Sequence, residues 1–119
     1  MADVVIFNNS QITQISHLLA EQVLTGSEIT RVFTRLGISD SSGESTKWRR
    51  LEYAFTARQN NDHAGNAILR FIQEVLSPVN YVQKQQEFED IRSELNGILS
   101  FSGIQYRNDG QFEKVTVAK

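Results

Sequence analysis

The stretch Ser45–Arg58, Ser-Thr-Lys-Trp-Arg-Arg-Leu-Glu-Tyr-Ala-Phe-Thr-Ala-Arg, decides how the rest of the chain can fold. Trp48, Leu51 and Phe55 follow one another at steps of three and four residues, which places them on one face of a helix. The segment therefore predicts a helix that anchors a core and can also present a contact surface. The first turn of this helix is basic, with Lys47, Arg49 and Arg50.

The composition is typical of one small globular domain. The chain has 119 residues, of which 39% are hydrophobic and 22% are charged. Its net charge of −2 gives no global attraction to nucleic acid or to an anionic membrane, so such binding would need a local basic patch. The chain has no cysteine and only two, widely separated histidines, so we expect no disulfide, no metal site and no cofactor.

No apolar run in the sequence approaches the ~20 residues of a membrane-spanning helix. The first residues lack the basic region that begins a signal peptide. We therefore expect a cytoplasmic protein with no membrane partner.

Two helices are predicted ahead of the opening stretch. Asn8 to Ser10 can cap the first, whose apolar residues include Ile12, Ile15 and Leu19 at helical spacing. His17 falls on the opposite face and is predicted to be exposed.

The second helix begins with a capping box formed by Thr25 and Glu28, and Gly37 ends it. Arg31 and Arg35 lie four residues apart on its outer side. Its inner face carries Ile29, Val32, Phe33 and Leu36.

The opening helix is predicted to end near Arg58, followed by a polar loop over residues 59–66. A broad apolar stripe then predicts a central helix. Ser77 and Pro78 can start a further helix at once, the longest and most regular one. The two apolar stripes comprise Ile68, Leu69, Phe71, Ile72, Val75 and Leu76, and then Val82, Gln85, Phe88, Ile91, Leu95 and Ile98.

Alternating residues at Ile104–Tyr106 and Phe112–Val117 flank Asn108-Asp109-Gly110, which predicts a β-hairpin. We therefore predict a mainly α fold, a compact bundle of about five helices with a carboxy-terminal β-hairpin, in a single domain over residues 1–119. The predicted core comprises Ile29, Phe33, Trp48, Leu51, Phe55, Ile72, Phe88, Ile91 and Leu95.

Two groups of residues are candidates for function. Arg58 and His63 have the spacing found in HEPN-type ribonucleases, in which the histidine moves a proton and the arginine holds phosphate charge. The loop predicted there lacks the rigid geometry that this chemistry needs, so we expect no catalytic residues and no enzyme. The second group is a candidate nucleic-acid surface made of Lys47, Arg49, Arg50, Tyr53, Arg31 and Arg35.

Two helices joined by a loop, with basic residues on the later one and a hairpin at the end of the chain, have the outline of a winged helix. In such a fold Arg49 and Tyr53 would reach a groove of the nucleic acid. The loop over residues 38–44 is longer than a helix-turn-helix turn, and the net charge is negative. If the basic residues converge on one exposed face beside the hairpin, nucleic acid is favoured. If they pair with acidic residues, a structural role is favoured.

Several short blocks follow one another along the chain: Leu24-Thr-Gly-Ser-Glu-Ile29, Leu36-Gly-Ile38, Thr46-Lys-Trp-Arg-Arg-Leu51, Asn66-Ala-Ile-Leu-Arg-Phe-Ile72, Pro78 and Leu95-Asn-Gly-Ile-Leu-Ser-Phe-Ser-Gly103. In this order they resemble the amino-terminal region of a bacterial and phage-associated family labelled "hypothetical protein Ymh", and similar domains occur at the front of abortive-infection proteins.

The resemblance implies an accessory module for sensing, targeting or oligomerisation in a defence-type protein, ahead of a HEPN-like carboxy-terminal domain. That domain, a protein partner or a second copy would be its partner. The strand pattern continues to Val117, two residues before the end, which agrees with an amino-terminal domain of a longer protein.

Overall fold

A computed structural model describes residues 4–118 and has the predicted architecture, mainly helical with a carboxy-terminal antiparallel hairpin. The helices and strands run, in chain order, as α1 (Asn9–Gln22), α2 (Gly26–Leu36), α3 (Lys47–Asp62), α4 (Asn66–Val75), a 3₁₀ turn (Pro78–Tyr81), α5 (Gln85–Leu99), a second 3₁₀ turn (Ser100–Ser102), β1 (Ile104–Tyr106) and β2 (Phe112–Lys114).

Side-chain caps fix the starts of the first two helices. The Asn8 side chain accepts a hydrogen bond from the Gln11 amide at 2.8 Å, and the Gln11 side chain accepts one from the Asn8 amide at 2.9 Å. Thr25 and Glu28 form the same reciprocal pair at α2. Gly37 ends α2 in the left-handed conformation, at φ 68°. These caps confirm the predicted boundaries of α1 and α2.

Helix α3 has the central position among the helices, because it packs against α1, α2 and α4. The predicted core residues are buried, with one exception. Trp48 was predicted in the core, but it is only partly buried and packs against the edge of the core. Its indole stacks on the His17 ring of α1, which is itself only partly buried, so the pair lies at the edge of the contact between α1 and α3.

Helix α3 continues four residues past Arg58, so the prediction of a loop from residue 59 is wrong. Gln59 is buried in this extra turn and binds the extended amino-terminal arm, residues 4–7. Its Oε1 accepts from the Phe7 amide at 2.9 Å, and its Nε2 donates to the Phe7 carbonyl at 2.8 Å. The arm satisfies this polar side chain, which explains how a glutamine can lie in the core.

Helix α5 begins at Gln85, not directly after Pro78. The 3₁₀ turn intervenes and leaves Val82 exposed, so Val82 and the exposed Gln85 do not belong to the apolar face as predicted. Phe88, Ile91 and Leu95 are buried and form this apolar face as predicted. The 15 residues of α5 are also fewer than the 16 of α3, so the longest helix is α3.

The hairpin packs on α5 through β1. The Asn96 side chain accepts from the Tyr106 amide at 2.7 Å and donates to the Tyr106 carbonyl at 3.0 Å, and thereby satisfies the outer edge of β1. Strand β2 ends at Lys114 and not at Val117 as predicted. Beyond it, the Ala118 amide donates to the Ser100 carbonyl, so the terminal segment still lies along the body.

A methyl group at Gly65 is expected to displace the amino-terminal arm. An ideal Cβ there would lie 3.0 Å from Phe7 Cδ2 and from the Val5 carbonyl oxygen. We expect Gly65→Ala to lower the free energy of unfolding by about 1–3 kcal/mol because this contact is overpacked. Urea denaturation measures the effect.

The matched control is Gly97→Ala. Gly97 lies inside α5 with no heavy atom within 4 Å of its ideal Cβ. Alanine there should raise stability by up to about 1 kcal/mol because it favours the helix. Equal stability of the two variants would contradict the tight packing of the arm.

Candidate contact surface on α3

Two of the basic residues at the start of α3 are engaged in structural contacts. Lys47 Nζ donates to the Leu24 carbonyl at 3.0 Å. Arg50 donates to the Gly26 carbonyl at 3.1 Å and forms an ion pair with Asp40 at 2.7 Å. These bonds tie the start of α2 and the loop after it to α3, so both cations stabilise the fold.

The two arginines of α2 lie away from this junction. Arg35 forms an ion pair with Glu74 of α4 at 2.9 Å. Arg31 is exposed and forms no ion pair with any described residue. Both line a cleft beside α4 and the first 3₁₀ turn. The six candidate residues therefore do not form one continuous surface.

The hairpin does not lie beside these residues. Within residues 4–118 the hairpin packs on α5 and the second 3₁₀ turn, and neither of its strands packs against α3. The turn of the hairpin reaches α4, where Gln73 Nε2 donates to the Gly110 carbonyl at 3.2 Å. The geometry that would favour nucleic acid, basic residues on one face beside a wing, is not present.

Trp48 and its neighbours form the outward surface of α3. The His17 ring stacks on the indole with centroids 4.2 Å apart and an angle of 23°. The Arg49 guanidinium carbon lies 5.3 Å from the indole centroid, within cation–π distance. His17 was predicted to be exposed, but it is half-buried because α1 packs against α3 and brings it to Trp48.

A shallow depression of about 520 Å³ lies on this surface. Tyr53 is 50% exposed at its edge. Glu52 is fixed by a 2.7 Å hydrogen bond from Thr13 of α1. The depression thus combines aromatic, cationic and anionic groups. Its lining comprises Glu44, Trp48, Arg49, Glu52, Tyr53, Thr56, Ala57 and Asn60.

Arg58 and His63 are not arranged as a pair. Arg58 lies in α3, where its Nε donates to Asp62 at 2.8 Å and its Nη1 donates to the Gly37 carbonyl at 3.1 Å. The hydrogen bond from Arg58 lowers the pKa of the Asp62 carboxyl. His63 ends the helix at φ 55°, exposed and without a hydrogen bond to any described residue.

Among residues 4–118, no group of three or more His, Cys, Asp or Glu side chains could hold a metal ion. None of the helices in this range has the length and apolar character needed to cross a membrane.

Comparisons with known protein families, with curated proteins and with solved structures find no match to this chain. The sequence analysis did not assign His17 to the α3 surface, because the contact of His17 with Trp48 depends on how α1 packs against α3.

Arg50 and Arg49 are adjacent but should differ in their effect on stability. The Arg50 side chain is only 13% exposed, and its loss removes a hydrogen bond to the Gly26 carbonyl and leaves Asp40 without its ion-pair partner. We expect Arg50→Ala to lower the free energy of unfolding by about 1–3 kcal/mol. Arg49→Ala, at an exposed position, should change it by no more than about 0.5 kcal/mol.

Urea denaturation followed by circular dichroism compares the two variants. An equal loss of stability in both would show that Arg50 is not a structural clamp.

Proposed function

We propose that this chain is a non-catalytic interaction module and that the outward surface of α3 binds its partner. One observation carries the proposal: Trp48 is held between neighbours from two helices, beside the half-exposed Tyr53 and the exposed Arg49. Trp, Tyr and Arg are the residue types that contribute most binding energy in protein interfaces.

The fixed position of these side chains supports a binding role. His17 stacks on the indole, and the bond from Thr13 holds Glu52. Side chains that are already ordered lose little conformational entropy when a partner binds. The surface is thus pre-organised for recognition without a large rearrangement.

The charges on this surface favour a protein partner over nucleic acid. Glu44 and Glu52 line the same depression as Arg49, so the surface is mixed in sign. A surface that follows a phosphate backbone needs several uncommitted cations. Here Lys47 and Arg50 are bound within the fold.

The resemblance of the sequence blocks to the Ymh family supports a more specific setting for this module. It would lie in a bacterial defence-type protein, with a carboxy-terminal domain or a second copy of the chain as its partner. Arg58 is bound to Asp62 and to the Gly37 carbonyl, so its side chain has a role within the fold.

Site-specific photocrosslinking tests the surface directly. A photoreactive phenylalanine at position 53 should crosslink a defined partner in cells that express the chain, because Tyr53 lies at the edge of the depression. The matched control carries the same group at Val82, which is 60% exposed and lies in the connection before α5, outside the lining of the depression. A product of twice the mass of the chain identifies a second copy.

A partner found in this way should change the fluorescence of the purified chain, since Trp48 is its only tryptophan. Replacement of Arg49 and Tyr53 by serine should weaken binding by at least about tenfold, in the range of hot-spot losses. Equal crosslinking from positions 53 and 82, or no product at either, would contradict the proposal.

Nucleic-acid binding has its own test. We expect the fluorescence anisotropy of labelled duplex DNA, single-stranded DNA and RNA to stay unchanged at low salt, where phosphate contacts are strongest. The bound states of Lys47 and Arg50 are the reason for this expectation. A saturable rise in anisotropy that Arg49→Glu abolishes would favour the nucleic-acid alternative.

A further inference from the structure

The α3 surface extends along most of the helix. Although α3 packs against α1, α2 and α4, exposed positions recur along it at the three- and four-residue steps of one helix face. These positions are Arg49, Tyr53, Ala57 and Asn60. With 16 residues, α3 is about 24 Å long, so this surface is long enough to pack against another helix.

Tyr53 stands between two shallow depressions. One is the depression of about 520 Å³ described above, and the other, of about 440 Å³, includes Ser39 and Ser41 of the loop before α3. Ala57 also lines both depressions, and Thr56 lines the first. A half-exposed ring next to small side chains suits helix packing, in which a side chain of one helix fits between residues of the other.

This surface is complementary to its own copy when two α3 helices run antiparallel. If such a pair overlaps over the whole of α3, Tyr53 of one copy faces Thr56 and Ala57 of the other. In the same pair Arg49 faces Asn60. A two-fold axis through the middle of the helix makes each of these contacts twice. Each ring thus meets small side chains, and the two rings do not compete for one place.

The uncommitted charges of the surface lie at one end of it. Glu44, Arg49 and Glu52 line the first depression, and none of them forms an ion pair with a residue in the range 4–118. All three lie in the amino-terminal half of α3 or shortly before it. In a parallel pair Arg49 would lie against Arg49 and Glu52 against Glu52, and such like-charge contacts disfavour association.

The carboxy-terminal end of the surface is neutral. Asn60 and Asn61 are exposed there, and Arg58 forms an ion pair with Asp62 at 2.8 Å. The last carbonyls of a helix carry partial negative charge, which attracts a guanidinium. In the antiparallel pair Arg49 of each copy therefore reaches amide oxygens and helix carbonyls of the other copy, in place of a second arginine.

We propose that the partner of the α3 surface is a second copy of this chain, and that the two α3 helices pack antiparallel about a two-fold axis. The proposal rests on the proposed function, in which the α3 surface is the binding surface. One pair of helices buries less area than a standard interface, so the dimer should be weak and should exchange with the monomer. We expect a dissociation constant between roughly 10 μM and 1 mM.

Analytical ultracentrifugation over a concentration series measures this self-association. The average mass should rise from that of the monomer toward twice that value as the concentration approaches about 1 mM. Ala57→Glu places a carboxylate under the opposing ring at both symmetric contacts, so it should weaken the dimer by at least about tenfold. The matched control, Ser93→Glu, adds the same charge at an exposed position of α5 and should leave dimerisation unchanged.

Both substituted positions are exposed, so the fold should persist, and circular dichroism verifies this. Equal dimerisation of Ala57→Glu and the unchanged chain would overturn the proposal, since the contact would then lie on another surface.

Introduced cysteines test the direction of the helices, because the chain has none of its own. With a short bismaleimide, Arg49→Cys alone and Asn60→Cys alone should give no crosslinked dimer, whereas a mixture of the two should give one. Antiparallel packing brings position 49 of one copy to position 60 of the other and separates like positions by about 16 Å along the helix. The second contact between Arg49 and Asn60 remains intact in the mixed dimer.

Two further results would overturn the proposal. One is crosslinking of Arg49→Cys with itself and not with Asn60→Cys, which indicates parallel helices. The other is a chain that stays monomeric up to about 1 mM. If position 53 of such a monomeric chain captures a different protein in cells, self-association is refuted and the interaction function stands.

Discussion

The packing of Phe71 joins α4 to both α2 and α3. Its ring, fully buried on α4, lies 5.6 Å from the Phe33 ring of α2 and 5.0 Å from the Phe55 ring of α3, measured between centroids. A ten-residue helix such as α4 is marginal on its own in water. Its stability therefore comes from these contacts, and the positions of α2 and α3 follow from the same ring.

Polar side chains of the helices then fix the irregular connections. Gln59 binds both backbone groups of Phe7, and Asn96 does the same for Tyr106. Arg50 binds the start of α2. Buried backbone groups need such partners because they have lost their water. Residues that look like surface side chains in the sequence thus maintain the shape of the molecule.

The sequence predicted what depends on local chemistry. Caps at Asn8 and Thr25 and the apolar stripe of α4 are local features, and the structure confirms them. The extension of α3 was missed because it depends on Gln59, whose partner lies 52 residues away in the chain. The same holds for His17, which reaches Trp48 only through the packing of α1 on α3.

The basic residues at the start of α3 separate according to helix geometry. Successive residues of an α-helix are rotated by about 100°, so the side chains of Arg49 and Arg50 leave the helix in different directions. Lys47 and Arg50, three residues apart, bind the carbonyls of Leu24, just before α2, and of Gly26, its first residue. Arg49 and Tyr53, four residues apart, both line the outer depression.

This division could have been predicted from the spacing alone, whereas the roles of the two faces could not. They depend on α2 covering one face and leaving the other open. Charges three or four residues apart in a helical sequence are neighbours on one face, whereas charges in successive positions point in different directions. In this chain one basic cluster in the sequence becomes a structural clamp and part of a contact surface.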